Sequence, residues 1–155
     1  MTFVVKEFPS TSFVGFSTPV SVPQQPDDFS EMSAHKLEQL ANLRQIKADV
    51  AKYATNSHYY AINEATGDPH YLVGVQAEKE IAELDYFNMP AGTYAVFSEK
   101  VADRPAADAF IAASYGELYQ SPTVQINGNY LIEIVDCFIL ENTDEFTIYV
   151  PVTTK

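Results

Sequence analysis

Apolar residues recur at helical spacing in one long stretch of the chain. Leu37, Leu40, Leu43, Ile46, Val50 and Tyr53 follow one another at three- and four-residue intervals, which predicts a helix from about Ser30 to Ala54. Glu38, Arg44, Lys47 and Asp49 take the other side, so the helix is amphipathic and lies on a core. A second helix is signalled by its start. Asp103 can cap it, Pro105 suits its first turn, and Phe110, Ala113 and Leu118 give it an apolar side.

Between and around these helices the pattern changes to short extended runs. Phe3 to Val5 and Phe13 to Phe16 read as strands, broken by Pro9 and ending near Pro19, before a Pro-rich loop from Ser21 to Asp28. His58 to Asn63 and His70 to Gln76 flank the turn cluster Ala65-Thr66-Gly67-Asp68-Pro69 and predict a hairpin. Phe87 to Phe97 reads as one strand kinked at Pro90 and Gly92. After a turn at Asn127-Gly128, Tyr130 to Ile139 and Phe146 to Val152 predict a last hairpin around Asn142-Thr143-Asp144. The order strand, helix, hairpin thus occurs twice, although the halves share no sequence similarity. Two such units place a mostly antiparallel sheet against helices, an α+β fold with a cleft where the halves meet. One domain covering residues 1–155 is expected, with no second domain and no linker.

One strand breaks the usual pattern. In Tyr130-Leu131-Ile132-Glu133-Ile134-Val135, alternation puts Leu131 and Val135 on the face of Glu133, and Tyr130, Ile132 and Ile134 on the other. Both faces are apolar, so the strand is covered on both sides and Glu133 is enclosed. An unpaired carboxylate there costs several kcal/mol, so it must be protonated, paired or turned to a cleft. Bases to pair it are few, burial raises its pKa, and an arriving cation would restore its charge. A glutamate merely bonded to tyrosine hydroxyls, or turned to solvent at a bulge, is the structural alternative.

Composition narrows the possible partners. The 155 residues carry 9 Lys+Arg against 21 Asp+Glu, a net charge of −12. Such a surface repels nucleic acid and anionic lipid and concentrates small cations. No apolar run is long enough to span a bilayer, no signal peptide is evident, and the single cysteine, Cys137, allows no internal disulfide. A cytoplasmic location is expected. Ten tyrosines, ten phenylalanines and no tryptophan supply flat apolar faces with polar tips, suited to a core or to a ligand pocket. There is no phosphate loop, dinucleotide turn or serine elbow. His35, His58 and His70 lack ligand spacing, and Cys137 lacks a basic neighbour, so neither metal nor cofactor is expected.

Several segments together give the chain a family resemblance. Phe13-Val14-Gly15-Phe16, His58-Tyr59-Tyr60, Tyr71-Leu72-Val73-Gly74-Val75, Met89 to Phe97, Tyr115-Gly116-Glu117-Leu118, the Glu133 strand and Thr147 to Val152 stand in an order and spacing that resembles the GyrI-like effector-binding domain of bacterial multidrug-responsive regulators. The resemblance spans nearly the whole chain. It implies a pseudo-twofold pair of strand-helix-strand-strand modules with a ligand site at a buried glutamate ringed by aromatics. It carries that glutamate onto Glu133 and the surrounding ligand-binding positions onto Phe146, Tyr59 and Val135, with Tyr149 on the last strand added to the expected set. The chain departs from the pattern at Tyr60, where the family usually has glycine, and at Tyr119, where it often has tryptophan, and the helix-turn-helix that family regulators carry ahead of this domain is not expected here.

The function the resemblance implies is binding of lipophilic organic cations such as drugs and dyes, with no catalytic residue assigned. Two alternatives remain: hydrolysis of reactive small molecules in the same pocket, and an acidic interaction module with a protein partner, as in gyrase-inhibitor relatives.

Overall fold

The computed structural model describes residues 3–20, 30–65, 69–140 and 143–155. Its strands are β1 (Val4–Phe8), β2 (Thr11–Pro19), β3 (Tyr60–Glu64), β4 (His70–Ala77), β5 (Asp85–Met89), β6 (Gly92–Lys100), β7 (Val124–Ile126), β8 (Tyr130–Ile134) and β9 (Glu145–Thr154). The helices are α1 (Ser30–Ala51), α2 (Arg104–Tyr119) and the single turn α3 (Asp136–Ile139). The repeated module is β2-α1-β3-β4 and then β6-α2-β8-β9, as the element order foretold. The Pro-rich loop, most of the first hairpin's turn and Asn142 of the last one lie outside the described residues.

All pairings are antiparallel, and the main sheet runs β1-β6-β9-β8-β3-β4-β2-β5, with β7 attached to β9. The modules meet at β3 and β8, where Ala61 faces Glu133 and Ile62 faces Ile132. Phe87 to Phe97 forms two strands rather than one kinked strand. Pro90 and Ala91 separate β5 from β6, and the two never pair: β5 lies on β2, and β6 lies on β1 and β9. Likewise β1 is two residues from β2 in sequence yet pairs with β6. Each edge strand is therefore tied by a two-residue link to the far half of the sheet, which curls the sheet into a half-barrel.

The two faces have separate cores. On the helix-covered face, Leu40, Leu43 and Val50 of α1 and Phe110, Ile111 and Leu118 of α2 pack on Val73, Val75, Ile148 and Val150. On the other face Phe13, Tyr60, Met89 and Tyr94 cluster without any helix residue, joined by Phe8, Phe87, Tyr130 and Tyr149. The β8 strand serves both cores, with Leu131 in the first and Ile132 in the second. The alternation read around Glu133 therefore holds.

The helix starts were legible, but one helix face was not. Asp103 Oδ1 accepts from the Ala106 amide at 2.9 Å, the cap expected for α2. In α1, however, Leu37 is 43% exposed, while Ser33, Lys36 and Gln39 are buried. Polar residues here displace an apolar stripe because they have partners beneath them. The last hairpin also differs: after Ile134 the chain leaves β8 and turns through α3 before returning as β9.

Candidate functional site

Glu133 is fully enclosed, at 0% exposure, and its carboxylate is saturated with donors. Oε1 accepts from the Tyr71 hydroxyl at 2.7 Å and from Arg104 Nη1 at 2.7 Å. Oε2 accepts from Asn63 Nδ2 at 2.5 Å and from Arg104 Nη2 at 3.2 Å, with Lys36 Nζ at 3.9 Å. Arg104 reaches it from the first position of α2, Lys36 from the second turn of α1, and Tyr71 from β4. Asp108, one turn after Arg104, closes the cluster. It accepts from Arg104 Nη2 at 2.6 Å, Lys36 Nζ at 3.0 Å and the Ser33 hydroxyl at 2.5 Å. Two buried cations thus face two buried anions at the seam of the two modules.

This arrangement corrects two expectations. Bases are few in the chain, yet two of them are spent on this carboxylate. Burial alone would push the Glu133 carboxyl up, but the Arg104 guanidinium and then the Lys36 ammonium hold it below the usual carboxylate range. The same balance lowers Asp108, again with Arg104 the leading cation. Lys36 moves down, first because it is buried and next because Arg104 repels its charge.

The depressed carboxyls give a pH prediction. Their folded-state pKa values lie below the unfolded ones, so their contribution to stability is complete above the ordinary carboxylate range near 4 and is lost progressively as pH falls from there through the depressed folded-state values. Urea unfolding between pH 7 and pH 3 should show a falling midpoint, and a shallower fall in Glu133→Gln. Equal slopes in the two proteins would contradict the pairing.

Aromatic rings surround the guanidinium. The Arg104 carbon Cζ lies 5.4 Å from the Phe146 ring centre, 5.6 Å from Phe138 and 5.9 Å from Tyr71. A delocalised cation paired bidentately with a carboxylate and flanked by three π-faces is the geometry that the sequence reading reserved for a ligand. Here a side chain of the protein fills it.

Two clefts end on side chains bonded to Glu133. The larger, about 450 Å³, is lined by Met32, Asn63, Tyr115, Tyr119, Tyr130 and Leu131 among others, and Asn63 carries it to the carboxylate. Glu64 and His70 also stand in its wall. The smaller, about 340 Å³, includes Leu37, Arg44, Cys137 and Phe138 and reaches Arg104. Burial pushes the Cys137 thiol up to about 11, which keeps it protonated and unreactive.

The expected site residues are only partly united. Phe146 meets Glu133 through Arg104. Val135 is buried on the same face, and its amide donates to the Tyr59 carbonyl at 2.9 Å. Tyr59 is half-buried, with its amide on Asp136 Oδ1 at 2.7 Å. Tyr149 lies on the opposite face, stacked on Phe8 at 4.7 Å, and does not meet Glu133. Neither Phe146, Tyr59, Val135 nor Tyr149 lines the larger cleft. Sequence reasoning missed Arg104, Lys36, Asp108, Tyr71 and Asn63. The Arg104/Asp108 spacing was a signal, but one shared with ordinary surface pairs.

Among the described residues, no group of three or more His, Cys, Asp or Glu could hold a metal. Nor is any helix there long and apolar enough to cross a membrane.

Comparison with known proteins agrees with this architecture. Residues 4–152 match the family described as Cass2, integron-associated effector binding protein, and the chain belongs to that family. No curated protein sequence matches it. Among solved structures, SAV2435 bound to tetraphenylphosphonium superposes with a TM-score of 0.73 at 16% identity, covering 99% of this chain and 94% of that one. The EcmrR C-terminal domain matches with a TM-score of 0.61 at 15% identity over all of both chains. The integron cassette protein VCH_CASS2 from the mobile metagenome of Vibrio cholerae matches with a TM-score of 0.60 at 12% identity, covering 97% and 95%. The fold is that of the GyrI-like effector-binding domains, as the sequence resemblance implied.

Proposed function

We propose that this domain binds lipophilic organic cations in the larger cleft, with the positive charge directed at Glu133. The observation that carries the reading is the bond from Asn63 to Glu133 at the end of a tyrosine-lined cleft. Its volume lies in the range of small-molecule sites, and its lining is mostly apolar, as such sites are. Tyr115, Tyr119 and Tyr130 offer ring faces to a cation, Glu64 adds a carboxylate to the wall, and the net charge of −12 raises local cation concentration. That SAV2435, a structural neighbour, is bound to tetraphenylphosphonium supports the same ligand class. Apolar walls are non-directional, so breadth of specificity follows and affinity in the micromolar range, about −8 kcal/mol, is expected.

The test is calorimetric titration with tetraphenylphosphonium and with triphenylphosphine oxide, a neutral relative. The cation should bind more tightly. Tyr119 is 76% exposed, so Tyr119→Ser should leave stability intact while removing one ring from the wall. A loss of about 1 kcal/mol, roughly fivefold in Kd, is expected. Equal affinity for the two compounds, or an unaffected Tyr119→Ser, would remove the reading.

A further inference from the structure

The buried cluster at Glu133 has no charge to spare. Arg104 and Lys36 carry two positive charges, Asp108 and Glu133 two negative ones, and all four are 0–3% exposed. A cation drawn toward Glu133 adds a fifth charge to a neutral, desolvated group, which low-dielectric surroundings oppose. One resident charge must give way.

Resting on the cation-binding reading above, we propose that Lys36 gives way: as a cation settles toward Glu133 Oε2, the Lys36 ammonium releases its proton to solvent, so the site exchanges one positive charge for another.

The geometry singles out Lys36 among the groups present. Arg104 holds Glu133 with both terminal nitrogens and Asp108 with one, and a guanidinium does not deprotonate in proteins. Lys36 is on the ligand's side. It stands 3.9 Å from Oε2, the oxygen that Asn63 links to the larger cleft, and Met32, one helical turn before it, lines that cleft. Its hydrogen bond to Asp108, at 3.0 Å, can be kept by a neutral amine. The groups facing it are Arg104 and Asp108 from α2, Glu133 from β8, Tyr71 from β4, whose ring centre is 5.3 Å from Nζ, and Ser33 from its own helix. Burial and the Arg104 charge already weaken its hold on the proton. Tyr71 is no substitute source: burial and then the Glu133 charge hold its hydroxyl protonated well above the ordinary range.

Release of one proton per ligand makes affinity rise with pH while the free protein still carries the Lys36 proton, approaching tenfold per pH unit. Tetraphenylphosphonium should be titrated into the wild-type protein between pH 7.5 and 9. Buffer pairs of different ionisation enthalpy count the protons. The expected result is release approaching one proton for the cation and none for triphenylphosphine oxide. Lys36→Met should bind the cation at least tenfold more tightly at pH 7.5, with no pH dependence. Cation binding without proton release overturns the inference and leaves the cation site standing. Binding by Lys36→Met but not by wild type also overturns it, since the resident charge then blocks the site instead of giving way. Binding by neither protein removes the cation site and this inference together. Should Lys36→Met fail to fold, the wild-type proton count decides alone.

Discussion

Gly74→Ala should be among the most damaging single changes in this chain, costing about 3 kcal/mol or more and loosening the pairing of β2 with β4. Gly74 and Gly15 face each other across those strands. A Cβ built on Gly74 would lie 1.9 Å from the Val14 carbonyl oxygen, and one on Gly15 would lie 1.9 Å from that of Val73. The obstacle is backbone on both sides, so no side chain can rotate away to make room. The strands must part, and β2 also holds β5 on its other edge. Loss should therefore spread to the Phe13–Phe87 register and to the aromatic core behind it. Urea unfolding measures the cost, and amide exchange at Val14 and Val75 locates it. An Ala variant within 1 kcal/mol of wild type, with those amides still protected, would show that the close approach is dispensable. Gly116, where an added Cβ meets nothing within 4 Å, is the control: Gly116→Ala in α2 should be neutral or stabilising.

Those two glycines were visible in the sequence as members of family-like segments, but not as partners. The same divide runs through the molecule. Whatever depends on near neighbours in the chain was legible: the Asp103 cap, the length of α1, the alternation that encloses Glu133. What depends on distant segments was not. The run from Phe87 to Phe97 has one strand-like pattern because periodicity says nothing about which strand lies alongside, so the exchange of β5 and β1 between modules stayed hidden. Nothing near them in the sequence marks Lys36 or Arg104, since a charged residue gives no sign of burial until its partner is known. Lys36 is 72 positions from Asp108, and Arg104 is 29 positions from Glu133. Glu133 was found because a carboxylate breaks an apolar strand; a lysine next to Leu37 on an amphipathic helix breaks nothing.

Arg104→Met should cost about 3–5 kcal/mol, with Tm lower by on the order of 10 °C, because it strands buried charge rather than because it loses contacts. Methionine keeps an apolar stem against Phe138 and Phe146 and removes the Nε donor, which has no partner among the described residues. What remains is Glu133 with Tyr71 and Asn63 as neutral donors, Lys36 at 3.9 Å, and Asp108 sharing that one ammonium. Two carboxylates then divide one cation in a site closed to water. Glu133→Gln creates the mirror problem, leaving Arg104 and Lys36 to Asp108 alone, so this variant is not the silent probe of ligand binding that an unpaired glutamate would allow. The double variant Arg104→Met/Glu133→Gln removes one charge of each sign and keeps the Lys36–Asp108 pair intact. Neutral replacements of buried ion pairs are often tolerated, so the double variant should recover at least half of the loss seen in Arg104→Met, a coupling of 1–3 kcal/mol or more. Urea unfolding of the four proteins at pH 7 gives that number. Additive losses would mean that Glu133 draws its compensation from Lys36 and Asn63 instead, and that Arg104 is held in its aromatic surroundings by Asp108 alone.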